Sequence, residues 1–144
     1  MSHDTQLTDP ARVVLRRRIE WMDTDAAGIY HWTTVFRLAE AAEAALHTAL
    51  GIVDLTFGAT PRVAVHATFA RALEFNDPVE VELAVTAVGR TSVDYRLTIR
   101  CDGATAAEGS VKSVLVDRGT RRATPWPDDV RALFTGAGLQ APPD

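Results

Sequence analysis

The stretch "HWTTVFRLAEAAEAALHTALG", residues 31–51, decides the fold. Trp32, Val35, Phe36, Ala39, Ala42, Leu46, Ala49 and Leu50 recur at three- and four-residue spacing, which lines one side of an α-helix of about five turns. Gly51 stands where such a helix closes, because a left-handed cap residue fits there when it has no Cβ. Ala41, Ala44 and Ala45 leave little polar surface elsewhere, so the helix is expected to be embraced by other structure. Arg37, Glu40, His47 and Thr48 mark its polar side.

On either side of this helix the period changes to two. Val13, Leu15, Ile19 and Trp21 alternate with Arg16, Arg18 and Glu20, the pattern of a strand with one wet face. Four more strands are expected at about 62–73, 78–88, 92–101 and 106–117. Short turns at Gly89–Arg90 and Asp102–Gly103 join the later strands as antiparallel hairpins. One long apolar helix among five strands predicts an α+β fold, a curved antiparallel sheet wrapped around a central helix. Such a sheet does not easily bury its own edges, so a two-fold dimer, or a dimer of dimers, is expected. Residues 1–11 read as a loose lead-in and 12–118 as the domain. Residues 119–144 read as an extension containing Pro125, Pro127, Pro142 and Pro143, with a short helix at 128–135.

Composition narrows the function classes. The chain has 144 residues, 47% of them hydrophobic, and a formal net charge of −4, which suits one ordinary globular domain and not a nucleic-acid binder working through a basic field. Cys101 is the single cysteine, expected as a small buried hydrophobe; it rules out an internal disulfide and a multi-cysteine metal site. No metal and no organic cofactor is assigned. The N-terminus lacks the apolar core of a signal peptide and no run reaches the ~18 apolar residues of a membrane span, so the cytoplasm is the expected location.

The chemistry is expected at the seam "WMDTDAAGIYHW", residues 21–32, where strand gives way to helix. The longer segment "EWMDTDAAGIYHWTTVFRLAEAAE" resembles the active-site stretch of the hotdog-fold acyl thioesterases, above all the 4-hydroxybenzoyl-CoA thioesterase type, with its Asp-x-Asp-x-x-Gly pattern running into the central helix. "FNDPVEVELAVTAVGRTSVDYRLTIR" and "AEGSVKSVLVD" are similar to strands of the same family, and the likeness spans residues 12–118. It implies a hotdog fold, an acyl-CoA or acyl-carrier-protein thioester as substrate, and Asp25 as the nucleophile or general base. As a bare residue Asp25 is equally a helix cap, and Asp23 reads as a turn-former. Gly28 lets backbone approach a ligand, and the amides around Gly28, Ile29, Tyr30 and His31 are expected to face the oxyanion at the positive end of the helix dipole.

His31 departs from the commonest pattern. A second branch, the phenylacetate-related thioesterases, has a histidine at the helix entrance and an acid nine residues later, a spacing reproduced by His31 and Glu40. Two acids, Asp25 and Glu40, therefore compete for the role, and Glu40 could reach a loop only across a dimer. Thr33, Thr34 and Arg37 are expected to line the acyl end. Glu43 reads as a snorkelling residue or as a buried partner with a raised pKa. Arg62, Arg71, Arg118 and Arg121 are candidates for the phosphates of the carrier. His66 reads as a satisfied core histidine, and Trp32, Phe36 and Phe69 as core. Two other functions stay open: addition of an amine such as glycine to an α,β-unsaturated acyl thioester before hydrolysis, and a non-catalytic acyl-binding domain.

Overall fold

A computed structural model gives the fold and describes residues 6–143; residues 1–5 of the expected lead-in and residue 144 lie outside them. The elements run β1 (Arg12–Arg18), a 3-10 turn (Trp21–Asp23), α1 (Thr34–Leu50), α2 (Val53–Thr56), β2 (Arg62–Phe69), β3 (Pro78–Val88), β4 (Ser92–Cys101), β5 (Ala104–Val114), α3 (Asp128–Gly136) and β6 (Leu139–Gln140). They form one six-stranded sheet in the order β2-β5-β4-β3-β1-β6, antiparallel except for the β1–β6 pair. α1 crosses the concave face, and its Val35, Leu38, Ala42 and Leu46 pack into a core with Leu15, Val81, Leu83, Leu97 and Ile99. This is the α+β architecture read from the periodicity and the hotdog fold that the resemblance implied.

Local hydrogen bonding explains the differences in the boundaries. The first strand stops at Arg18 rather than Trp21, because the Asp23 carboxylate accepts the Glu20 N–H at 2.8 Å and folds the chain into the 3-10 turn. β2 stops at Phe69 rather than near residue 73, because Ala70 and Arg71 both donate to the Ala106 carbonyl and break the alternation. The hairpin at Asp102–Gly103 takes φ values of 52° and 78°, the left-handed pair that a two-residue turn between twisted strands demands. Gly51 closes α1 at φ 74°. On β5, a Cβ at Gly109 would fall 2.0 Å from the main-chain oxygen of His66, so the approach of β2 to β5 admits glycine alone.

Residues 8–11, from the end of the expected lead-in, and the C-terminal α3 pack together on the core. Thr8, Asp9 and Ala11 donate to the carbonyls of Thr135 and Phe134, and Ala11 is fully buried. Phe134 of α3 sits within 5.0 Å of the Trp126 ring and about 6 Å from those of His47 and Tyr95, and it is itself fully buried. β6, which the alternation did not reveal, covers part of the β1 edge.

The other edge is bare among the described residues. Val65 and Phe69 of β2 stand on the core-side face, in register with Val111 and Ala107, yet are 51% and 48% exposed, and Val63, at the bulge that precedes them, is 57% exposed. His66 is exposed on the same strand and is not a core histidine. Among the described residues no helix is long and apolar enough to cross a membrane.

Candidate active site

Residues 23–31 form a small hairpin that leads into α1, and Asp23 is its anchor. Its side chain, 1% exposed, takes two hydrogen bonds from Arg37, at 2.8 Å from Nε and 2.7 Å from Nη2. Its carbonyl accepts the His31 N–H at 2.6 Å and the Thr34 hydroxyl at 2.9 Å. Asp23 thus fastens the loop to the first turn of the helix. Arg37 and Thr34, expected to line the acyl end, both bond Asp23; Thr34 is buried, and the Arg37 side chain is 43% exposed. Arg37→Met leaves this carboxylate without its counter-charge and is expected to destabilise the fold by about 3 kcal/mol, read from urea unfolding.

Asp25 projects from the loop tip and is exposed. Its Oδ1 accepts the Ala27 N–H at 2.8 Å, which sets the side-chain angle, while Oδ2 meets no donor among the described residues. Gly28 takes φ 80°, and with the Gly28 N–H on the Asp25 carbonyl and the Asp25 N–H on the Ile29 carbonyl the turn is tight. Six residues beyond Asp25, His31 Nδ1 lies 2.7 Å from Thr33 Oγ1 and accepts the Thr33 N–H at 3.2 Å. Because Nδ1 is an acceptor, the neutral ring carries its proton on Nε2, a donor that no described residue engages. Trp32 flanks the imidazole with ring centroids 5.6 Å apart.

The expected row of oxyanion amides is mostly occupied. Gly28 donates to Asp25, Tyr30 to the Leu73 carbonyl at 2.8 Å and His31 to Asp23, because the loop is stitched to the 73–74 segment by isolated bridges. Tyr30 is buried and structural, its hydroxyl bonded to the Arg71 carbonyl. For Ile29 and Trp32 alone in the 28–32 stretch, no acceptor is found among the described residues. Trp32 is the residue the sequence reading placed in the core; it is 60% exposed, and its amide opens the turn into α1. The signal was its position just ahead of the N-cap Thr33, close to the helix start, where main-chain donors go unpaired. Phe36 is only half-buried and edges onto the Trp32 ring; Phe69, which packs on Tyr30, is likewise not core.

Glu40 does not join Asp25. It is 71% exposed at its side chain and sits 3.8 Å from Arg62 on β2. Glu43 is the buried alternative, 10% exposed at its side chain, with Oε2 3.0 Å from Arg62 Nη2. Desolvation lifts its carboxyl above the ordinary range, against the pull of Arg62. One turn on, His47 was read as a polar-side residue but is buried: Nδ1 is 2.8 Å from Thr56 Oγ1 and Nε2 is 2.7 Å from the Tyr95 hydroxyl. These groups border an open cleft of about 660 Å³ between α1, α2 and the start of β2. Arg62, Arg118 and Arg121 line it too, three of the four arginines assigned to a carrier. Arg118 is committed to the carbonyls of Asp54, Leu55 and Phe57 at the end of α2. Arg71 lies apart, donating to the Cys101 carbonyl at 3.1 Å.

His47 makes stability depend on pH. Burial lowers its pKa from 6.5 to about 4, so between those values the unfolded chain binds a proton that the folded chain refuses. Stability is therefore fullest above pH 6.5 and falls as the pH drops towards 4, by on the order of 3 kcal/mol. Glu43, with its pKa raised, works in the opposite sense, its contribution being lost as the pH climbs past its unfolded value. Thermal unfolding of wild type and His47→Gln between pH 7 and 4 separates the two: the wild-type slope is expected to flatten in the variant.

The chain was compared with known proteins. The profile of the thioesterase-like superfamily matches residues 19–134. A 1,4-dihydroxy-2-naphthoyl-CoA hydrolase of Prochlorococcus marinus (strain MIT 9313) is 27% identical over 139 residues, covering 88% of this chain and 92% of the relative. The enzyme of the same name from Synechococcus elongatus is 31% identical over 121 residues, covering 78% and 88%. A solved gentisyl-coenzyme A thioesterase superposes with a TM-score of 0.74 at 26% identity, over 84% of this chain and 98% of its own. With its concave sheet, its central helix and its aspartate-bearing entrance loop, the chain belongs to the thioesterase-like superfamily of hotdog-fold acyl-CoA thioester hydrolases.

Proposed function

We propose that the protein hydrolyses an acyl-CoA thioester as a homodimer, with Asp25 as the reacting carboxylate. The observation that carries this is the entrance loop itself: Oδ1 of Asp25 is pinned by Ala27 while Oδ2 is left to react, next to a helix entrance that offers unpaired donors. Asp25 draws a proton from the attacking water, or attacks the thioester carbonyl itself to give an acyl-aspartate anhydride that water then hydrolyses. The Trp32 amide and the His31 Nε2–H donate to the oxyanion, whose collapse expels the CoA thiolate. Glu40, drawn towards Arg62, is the weaker candidate. The bare apolar edge of β2 supports the dimer, since two such strands pair edge to edge about a two-fold axis and cover each other's Val63 and Val65.

Thiol release from a panel of acyl-CoAs tests the reading, with the same acyl groups on an acyl carrier protein as a second arm. Turnover on the CoA panel is the expected result, and no release from any thioester overturns it. Crotonyl-CoA incubated with glycine and analysed by mass is expected to give no amine adduct, because Arg37, the group suited to hold a substrate carboxylate, is bound to Asp23.

A further inference from the structure

We propose that Thr33 is a positioning residue for the hydrolysis, holding the His31 imidazole with its proton on Nε2, where that N–H serves the oxyanion. The inference rests on the reading of His31 as an oxyanion donor, and it gives Thr33, expected along the acyl end, a different task.

The tautomer is decided by a group that cannot change its role. A main-chain N–H only donates, and that of Thr33 points at His31 Nδ1 from 3.2 Å, so Nδ1 carries a lone pair whichever way the nearby hydroxyl turns. With the lone pair in place, the Thr33 hydroxyl, 2.7 Å from Nδ1, donates to it as well. Two donors from one residue thus keep Nδ1 an acceptor, and in the neutral ring the proton is left on Nε2. The reverse tautomer would set Nδ1–H against the Thr33 N–H and turn a lone pair on Nε2 towards the oxyanion, where the reaction needs a donor.

Thr33 is itself held in place. Its carbonyl accepts the amides of Phe36 and Arg37 at 3.0 and 3.2 Å, which roots it in the first turn of α1. A threonine just ahead of a helix ordinarily turns its hydroxyl onto an amide of the first turn, yet Thr33 makes no such bond and its hydroxyl faces the imidazole instead. His31 is fixed on its other sides, with its N–H on the Asp23 carbonyl at 2.6 Å, its carbonyl on the Thr34 N–H at 2.9 Å and its ring beside that of Trp32. Nε2 is the one polar atom of His31 that no described residue engages.

Thiol release from an acyl-CoA and ring-nitrogen NMR of the histidine-labelled full chain test the proposal. Thr33→Val removes the hydroxyl and is expected to lower kcat about tenfold while KM moves by about twofold at most, because a donor to the oxyanion acts in the transition state. Thr33→Ser keeps the hydroxyl and is expected to recover most of the rate. In a His31→Ala background Thr33→Val is expected to cause no further loss, since Thr33 acts only through the imidazole. The neutral His31 ring of wild type is expected to carry its proton on Nε2, with the Nδ1 resonance of a hydrogen-bonded lone pair that moves towards the unbonded position in Thr33→Val. A proton on Nδ1 in wild type, a Thr33→Val chain with wild-type kcat, a Thr33→Ser chain as slow as Thr33→Val, or a further loss in the His31→Ala background each overturns the proposal. A wild type that releases no thiol overturns the thioesterase reading and this proposal with it, and is told apart from those four results by the absence of any rate to compare.

Discussion

Asp25→Asn is expected to lower kcat/KM for acyl-CoA hydrolysis at least a hundredfold, about 2.7 kcal/mol in the barrier, with the fold intact. The substitution is isosteric and keeps an oxygen for the Ala27 N–H, so the loop holds its shape. What it removes is the charged oxygen that attacks or takes the proton, and an amide cannot replace it. The effect belongs in kcat, because the carboxylate acts on the carbonyl more strongly in the transition state than in the bound substrate. Glu40→Gln serves as the comparison: its loss is expected to be the smaller. A reversed order, with Glu40→Gln the more damaging, moves the chemistry to the helix acid.

Val65→Asp is expected to convert the proposed dimer to a monomer of 15.6 kDa and to abolish most of the activity with it. Val65 is in the middle of the bare edge strand and half exposed in the single chain, so an aspartate there costs the isolated fold little. In a paired edge strand the carboxylate is pressed into an apolar seam and loses its water. Sedimentation velocity gives the mass and thiol release the activity. A variant that sediments as the wild type, or a monomer with full turnover, removes the need for a second chain at the site.

Much of this fold was legible because it is local. The spacing of Val35, Ala39, Ala42 and Leu46, the alternation through residues 78–101 and the Asp102–Gly103 turn each reflect geometry within a few residues, and each sits where its period puts it. The entrance loop was legible as a place and less so as an arrangement. Asp23 and Asp25 look alike in the chain, yet one is buried on Arg37 and the other exposed. Thr34 and Arg37 looked like pocket residues because nothing nearby in sequence shows that they close on Asp23. The amides of Tyr30 and His31 were lost to acceptors that only the folded loop supplies, Leu73 being more than forty residues away.

By itself the sequence determined the long helix and the five long strands, the closing of α1 at Gly51, the family and the position of the acid-bearing loop, because periodicity and turn chemistry act between near neighbours. Only the tertiary structure decided that His47 and Glu43 are buried rather than on a wet flank, since that depends on Thr56, Tyr95, Arg62 and Phe134 arriving from four distant elements. It also decided which edge of the sheet stays bare. β6 covers part of β1 and no described residue covers the outer edge of β2, a matter of strand order that no local pattern encodes.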